Sequence, residues 1–166
     1  MITRFLKAAT LALLLAATAP LAQPAADFNA AIAALKRGDP ATAAALLAPL
    51  AAAGDAGAQY NLGVLRARGE GVPRDPAEAL RLFRAAADQG NALAAAALGH
   101  AYLNGQGVAA DADEAADWYL KSAEAGYSAG QAGLAYLHAT GQGVARDYAA
   151  AARWYRFAAL LDPVNE

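Results

Sequence analysis

Cysteine is absent from this sequence of 166 residues, and histidine occurs only at His100 and His138. The absence of cysteine excludes disulfides, thiolate zinc sites, iron–sulfur clusters and thiol catalysis. Two histidines leave few ligands for a metal ion and few candidates for a general base. We therefore expect no metal site, no cofactor and no catalytic residue.

An excess of basic residues is also missing. The 13 Lys and Arg residues are outnumbered by 15 Asp and Glu residues, and the formal net charge is −2. Proteins that bind the phosphate backbone of nucleic acids carry a basic surface that neutralises it. The composition therefore predicts no nucleic-acid partner.

Long apolar runs are missing as well, but the N-terminus carries a short one. Arg4 and Lys7 precede an apolar stretch at positions 8–19, and small residues follow, which is the layout of a secretory signal peptide. The stretch is shorter than a membrane span, which favours a cleaved signal over a permanent anchor. Cleavage after Ala22 and cleavage after Ala19 both stay open. We predict a signal peptide at 1–22 and a periplasmic or secreted product of Gram-negative type, with no stable membrane insertion after cleavage.

The residues that are present favour one helical domain. Hydrophobic residues make up 58% of the sequence, and alanine supplies most of them. Alanine has the highest helix propensity and is depleted in strands. The composition therefore predicts an all-α protein, with one domain over residues 23–166.

A repeat of 36 residues organises this domain. The motif Gly-x-Gly-Val occurs at 69–72, 105–108 and 141–144 without insertion. The same step aligns further sets of related residues: Leu62, Leu98 and Leu134; Gly63, Gly99 and Ala135; Asp75, Asp111 and Asp147; Phe83, Tyr119 and Tyr155. We predict three full repeats at about 56–90, 92–126 and 128–162, preceded by a divergent unit at about 27–54.

Each repeat has the pattern of a helix (helix A), a glycine loop and a second helix (helix B). Apolar residues recur at i, i+3, i+4 and i+7, which is the helical period. This spacing predicts A helices at 56–68, 92–104 and 128–140, and B helices at 76–88, 112–124 and 148–160. Gly63 and Gly99 lie inside A helices, where glycine is unfavourable, so we expect the paired helix to approach closely there.

Aspartates mark the start of every B helix. Asp75 with Glu78, and Asp111 with Glu114, have the spacing of a capping box, whereas Asp147 retains only the cap. An aspartate at this position satisfies free N–H groups of the first helical turn. We interpret the three aspartates as structural and not as catalytic carboxylates.

The second repeat resembles a known family. The run LGHAYLNGQGV at 98–108, with Asp111, Ala115, Trp118-Tyr119, Lys121-Ser122-Ala123 and Gly126 after it, resembles the Sel1-like repeat, a relative of the tetratricopeptide repeat. Arg66 and His138 depart from the family pattern, which usually has a tyrosine there. The resemblance implies an all-α fold, a right-handed α-solenoid of stacked helix pairs. Its members mostly serve as adaptors in protein complexes, and it does not imply enzymatic activity.

The resemblance also implies a binding surface. Stacked helix pairs curve, and the A helices line the concave side. Alignment with tetratricopeptide repeats places these residues in that groove: Tyr60, Val64, Arg68, His100, Asn104, Tyr136 and Thr140. Aromatic, basic and small polar side chains suit an extended peptide or a partner helix better than a phosphate or a lipid. The alternative is that these residues are simply exposed and bind nothing.

A second candidate surface lies on the last helix. Phe157, Leu160 and Leu161 are spaced i, i+3 and i+4, whereas the equivalent residues of the two earlier repeats are polar or small. Two interpretations stay open. The stripe either covers the core of the last repeat, or it docks a partner or a second copy and forms a homodimer through this helix.

We therefore predict an exported adaptor that binds a peptide or partner protein in its concave groove. A self-assembling structural module that uses the C-terminal stripe is one alternative, and a hydrolase acting on the cell envelope is another. No catalytic triad is visible, because neither mature serine has a nucleophile's surroundings and His138 occupies a packing position. Trp118 and Trp154 are expected to cover the layer of B helices.

Overall fold

The computed structural model describes residues 24–160. The predicted signal peptide and Leu161 lie outside this range. The described residues form eight helices and no strand: α1 (Pro24–Lys36), α2 (Pro40–Ala52), α3 (Ala56–Arg68), α4 (Pro76–Ala87), α5 (Ala92–Asn104), α6 (Ala112–Glu124), α7 (Ser128–Thr140) and α8 (Tyr148–Leu160). The predicted all-α class is confirmed, and the predicted A and B helices match except that α4 ends one residue earlier.

Each helix from α1 to α8 packs against the next helix in the chain. In addition, α5 contacts α7, the A helix of the following repeat. The A helices of the full repeats are α3, α5 and α7, and the B helices are α4, α6 and α8. Three clusters of buried side chains run along the chain, each shared between neighbouring helices. This arrangement is an α-solenoid, as predicted.

The aspartates at the starts of α4, α6 and α8 are caps, as predicted. The carboxylate of Asp75 accepts from the backbone N–H of Glu78 at 3.0 Å, and that of Asp147 accepts from the N–H of Ala150 at 2.9 Å. Asp111 accepts from two N–H groups at the start of α6. These bonds satisfy N–H groups that have no partner within the helix.

The predicted capping boxes are wrong in one part, the bond from each glutamate side chain back to the cap residue. The Glu78 carboxylate pairs with Arg81 at 2.6 Å, and the Glu114 carboxylate accepts from the Trp118 indole at 3.1 Å. Neither glutamate reaches back to the cap. The cap N–H groups instead donate to carbonyls of the preceding A helix, as Asp75 N does to Arg66 O at 2.8 Å. This bond closes the glycine loop and leaves the glutamates free to stabilise the B helix itself.

The glycines inside the A helices allow the predicted close approach. A Cβ atom on Gly63 would lie 2.7 Å from a ring carbon of Phe83, and one on Gly99 would lie 2.7 Å from a ring carbon of Tyr119. Gly133 of the following repeat also lies against the Tyr119 ring. Because this burial disfavours the phenolate, it raises the pKa of Tyr119 to about 12.

The tryptophan of α6 belongs to a buried cluster with side chains of α4 and α5, whereas Trp154 of α8 is only partly buried. Trp118 is buried, with the Lys121 ammonium 3.8 Å and the Arg84 guanidinium 4.9 Å from its ring centroid. Such contacts combine apolar burial with a cation–π attraction. Ser122 is buried, and its hydroxyl donates to Ala92 O at 2.8 Å.

Candidate functional site

A pocket of about 390 Å³ lies where the first full repeat meets the second. Helices α3, α4 and α5 form its walls, and the two glycine loops contribute one residue each. The apolar part of the lining consists of Tyr60, Val64, Ala67, Pro76, Ala79, Leu80, Phe83, Ala97 and Ala101, and the polar part of Arg68, Arg74, His100 and Gln106. The volume is that of a site for a side chain or a short segment of a partner.

Four of the predicted groove residues meet in this pocket: Tyr60, Val64, Arg68 and His100. The first three are spaced i, i+4 and i+8 on α3, so their side chains share one face. His100 comes from α5, the next A helix, and is exposed. The repeat geometry therefore brings residues that are 32 positions apart in the chain, Arg68 and His100, to one opening.

The pocket has an aromatic wall. The rings of Tyr60 and Phe83 lie 6.0 Å apart, centroid to centroid, at an interplanar angle of 41°. Tyr60 is half-buried, and this burial raises the pKa of its phenol. The neutral phenol can donate a hydrogen bond beside an apolar surface.

The rim of the pocket is basic. Arg68, Arg74 and His100 line it, and no carboxylate is among the lining residues. Arg74 Nε donates to the carbonyl of Ala67 at 3.0 Å, which holds its guanidinium at the rim. Arg68 lies 3.8 Å from the Glu70 carboxylate, but both side chains are at least half exposed, so this pair is weak. The rim can therefore offer charged donors to a carboxylate of a ligand.

The other three predicted groove residues do not line this pocket. The Asn104 amide donates to His100 O at 2.8 Å, and the Thr140 hydroxyl donates to Tyr136 O at 2.9 Å. Both side chains thus bind carbonyls of their own helix. Tyr136 is 43% exposed on α7. These residues lie along the A helices beyond the pocket.

Several lining residues were not predicted. Arg74 and Gln106 belong to the glycine loops, and Phe83 belongs to a B helix. The prediction considered A helices alone, and nothing in a helical period shows how a loop folds over its neighbours. One signal was available in the sequence, because the position of Asn61 is taken in the next repeat by the smaller Ala97, which lines the pocket together with Tyr60.

The sequence predicts no catalytic or metal site. Within residues 24–160, no group of three His, Asp or Glu side chains could hold a metal ion. His138 is half-buried, with Nδ1 3.4 Å from the carbonyl oxygen of Ala145, so it packs under its own loop. No helix of the described segment is long and apolar enough to cross a membrane.

The predicted C-terminal stripe is exposed where it is described. Phe157 is 50% exposed and Leu160 is 76% exposed. The centroids of the Phe157 and Trp154 rings lie 5.8 Å apart in an edge-to-face arrangement. The equivalent pair of the preceding repeat is Lys121 and Trp118, in which the ammonium lies over the indole ring. Trp154 in turn packs against the buried cluster of the last repeat, so docking and covering of the core both stay predictions for this stripe.

Comparison with known proteins places this geometry among repeat proteins. The family model described as "Sel1 repeat" matches residues 56–91, 92–127 and 128–163, which together make up more than half of the chain. No curated protein matches the chain.

Solved structures with the same fold do match. A protective antigen of uropathogenic Escherichia coli strains, described as displaying an SLR fold, is 35% identical with a TM-score of 0.76 over 82% of this chain. A Sel1 repeat protein from Oxalobacter formigenes is 29% identical with a TM-score of 0.77 over 84% of this chain. The chain spans 30% of the first protein and 59% of the second.

Proposed function

The chain belongs to the Sel1 repeat family, and we propose that it is an adaptor that binds a protein partner in the pocket between α3, α4 and α5. Members of this family are generally non-catalytic scaffolds for protein interactions. One observation carries the proposal. An apolar cavity with an aromatic wall opens at a rim that holds three basic side chains and no carboxylate.

The lining indicates the chemistry of the partner. Apolar area of this kind stabilises a buried apolar or aromatic side chain. The arginines at the rim are suited to a carboxylate close to that side chain, because a guanidinium binds carboxylates through two parallel hydrogen bonds. We infer that the partner presents an extended segment or a helix with an apolar residue beside Asp, Glu or a terminal carboxylate.

Charge reversal at the rim tests this proposal. The double variant Arg68→Glu and His100→Glu changes two exposed side chains, so we expect helical circular dichroism and the melting temperature to stay unchanged. Binding is expected to weaken at least about tenfold, because attraction for a carboxylate becomes repulsion. The measurement is capture of cell-envelope proteins on immobilised protein with identification by mass spectrometry, followed by fluorescence anisotropy with peptides of the captured partner.

The control is Arg37→Glu, which makes the same change as Arg68→Glu at an exposed residue of the α1–α2 turn that does not line the pocket. It is expected to retain the partner. If the rim variant and the control bind the partner equally well, the pocket is not the binding site and the proposal fails.

We also propose that the protein is exported. The N-terminal sequence supports this, because basic residues precede a short apolar stretch and small residues follow it. Expression in a Gram-negative host is expected to yield a mature N-terminus near Gln23 in the periplasmic fraction, as N-terminal sequencing would show. An uncleaved N-terminus recovered with the membranes would contradict export by a cleaved signal.

A further inference from the structure

The helix at the C-terminal end of the described solenoid exposes an apolar face that is distinct from the Phe157 stripe. We define the α8 end face as Tyr148, Ala152 and Tyr155, which are spaced i, i+4 and i+7 and therefore lie on one side of the helix. Tyr148 is 67% exposed, Tyr155 is 46% exposed, and Ala152 is exposed. Four of the six large hydrophobic residues that are exposed in the described chain belong to α8.

Part of this face is buried in the two earlier B helices, α4 and α6. Tyr155 is equivalent to Phe83 and Tyr119, and each of those is only 6% exposed. Ala152 is equivalent to Ala116, which is also 6% exposed. In α6 this face is covered by the following A helix, α7, whose Leu134 and Leu137 share a buried cluster with Tyr119 and Ala116. The α8 end face is thus the surface on which one repeat stacks the next.

The N-terminal end of the described solenoid exposes the complementary position. When the ends of α1, α3 and α7 are aligned, Ala30 and Ala33 of α1 take the places of Leu62 and Leu65, and of Leu134 and Leu137. Those leucines are all buried against the preceding B helix. No described B helix precedes α1, and Ala30 is exposed while Ala33 is half-buried. We define Ala30 and Ala33 as the α1 end face.

We propose that the α8 end face of one molecule stacks on the α1 end face of a second copy and continues the solenoid from molecule to molecule. The contact reproduces the packing that already joins α6 to α7 within the chain. A contact of this kind is heterologous, because the two surfaces differ, and it generates open chains unless the rotation closes a ring.

The sizes of the side chains fit this contact. Within the molecule, Ala116 of α6 shares a buried cluster with leucines of α7, whereas the backbone carbonyl of Ala112 lies against Gly143 of the following glycine loop. At the two ends, α8 presents Tyr148 at the place of the smaller Ala112, and α1 presents alanines at the places of the leucines. Exchanges that conserve total volume are the ones that packed interfaces tolerate best. A symmetric contact between two α8 end faces would instead place tyrosines against tyrosines.

A complementation experiment tests this proposal. Ala152→Arg blocks the α8 end face and Ala30→Arg blocks the α1 end face, and both changes place a good helix former at an exposed position, so the fold is retained. The protein is expressed from the whole 166-residue sequence. Its mass is measured by light scattering and sedimentation at concentrations up to about 1 mM, where even a weak contact populates complexes.

The wild-type mass is expected to rise with concentration beyond that of two chains. Each variant alone is expected to stay monomeric, with association weakened at least about tenfold. A mixture of the two variants is expected to form a complex of two chains and nothing larger, because one intact face of each kind remains. Tyr148→Arg is a second α8 variant that gives the same result.

The matched control is Ala149→Arg, an exposed alanine of α8 outside the end face, which is expected to assemble like the wild type. A wild-type chain that stays monomeric throughout, as when residues outside the described range cover either face, overturns the proposal. Self-association that survives Ala30→Arg also overturns it, because that result indicates a symmetric contact through α8. Loss of association in Phe157→Lys but not in Ala152→Arg would assign the contact to the Phe157 stripe instead.

Discussion

Replacement of Gly107 by alanine is expected to lower the free energy of unfolding by about 3 kcal/mol. Gly107 is the second glycine of the loop between α5 and α6 and has φ +77°. A left-handed conformation is unfavourable for any residue with a Cβ atom. In addition, that Cβ would overlap the carbonyl group of Pro76 and lie 3.0 Å from the backbone nitrogen of Ala77, at the start of α4.

Backbone atoms cannot rotate away as the end of a side chain can, so relief of this overlap requires the loop to move off α4. The equivalent glycines of the other loops, Gly71 and Gly143, meet the starts of α2 and α6 in the same way. The second glycine of the motif therefore joins each repeat to the previous one. This role explains why the motif holds its register through three repeats.

Gly126→Ala is the matched control. Gly126 has φ +80° but nothing within 4 Å of an added Cβ, so only the conformational cost of about 1 kcal/mol is expected. Urea unfolding followed by circular dichroism measures both variants. Equal losses of stability at the two positions would show that contact with α4 does not contribute.

Replacement of Tyr119 by alanine is expected to lower the free energy of unfolding by about 3–5 kcal/mol, the range for large aromatic residues removed from a core. The Tyr119 ring lies between Gly99 of its own repeat and Gly133 of the next. Only 6% of the residue is exposed. Its loss leaves a cavity between α5, α6 and α7, and the two glycines have no side chains that could fill it.

Tyr155→Ala provides the comparison, because the residue type and the position in the repeat are identical. Tyr155 is 46% exposed, so its removal is expected to lower the free energy of unfolding by about 1–2 kcal/mol. The measurement is chemical unfolding at dilute protein concentration, where contacts between molecules do not contribute. Similar losses for the two variants would contradict the view that the following repeat buries Tyr119.

Much of the local structure followed from the sequence alone. The 36-residue step placed the A and B helices, and the aspartates at positions 75, 111 and 147 marked the starts of the B helices. These features depend on interactions within a few residues, since a cap needs only its own side chain and the N–H groups of the next turn. Glycines at a regular position inside the A helices also indicated a close neighbour correctly.

The partners of individual side chains required the tertiary structure. The sequence assigned Glu78 to its cap, but the nearby Arg81 guanidinium is a stronger partner for its carboxylate than a backbone N–H that already has a carbonyl to bind. The pocket likewise includes Arg74 and Gln106, which come from loops. A period describes positions along a helix and carries no information on the path of the loop between two helices.

The identity of the stacking face on α8 depended on the tertiary structure. Comparison of equivalent positions singled out Phe157 and Leu160, because they differ from the polar residues of earlier repeats. The face that stacks repeats is formed instead by Tyr148, Ala152 and Tyr155, and its equivalents in α6 are covered by α7. The amino-acid sequence determines that a helix has an apolar side. How that helix is rotated against its neighbours, and thus which side it exposes within the described residues, is determined by the packing of whole helices.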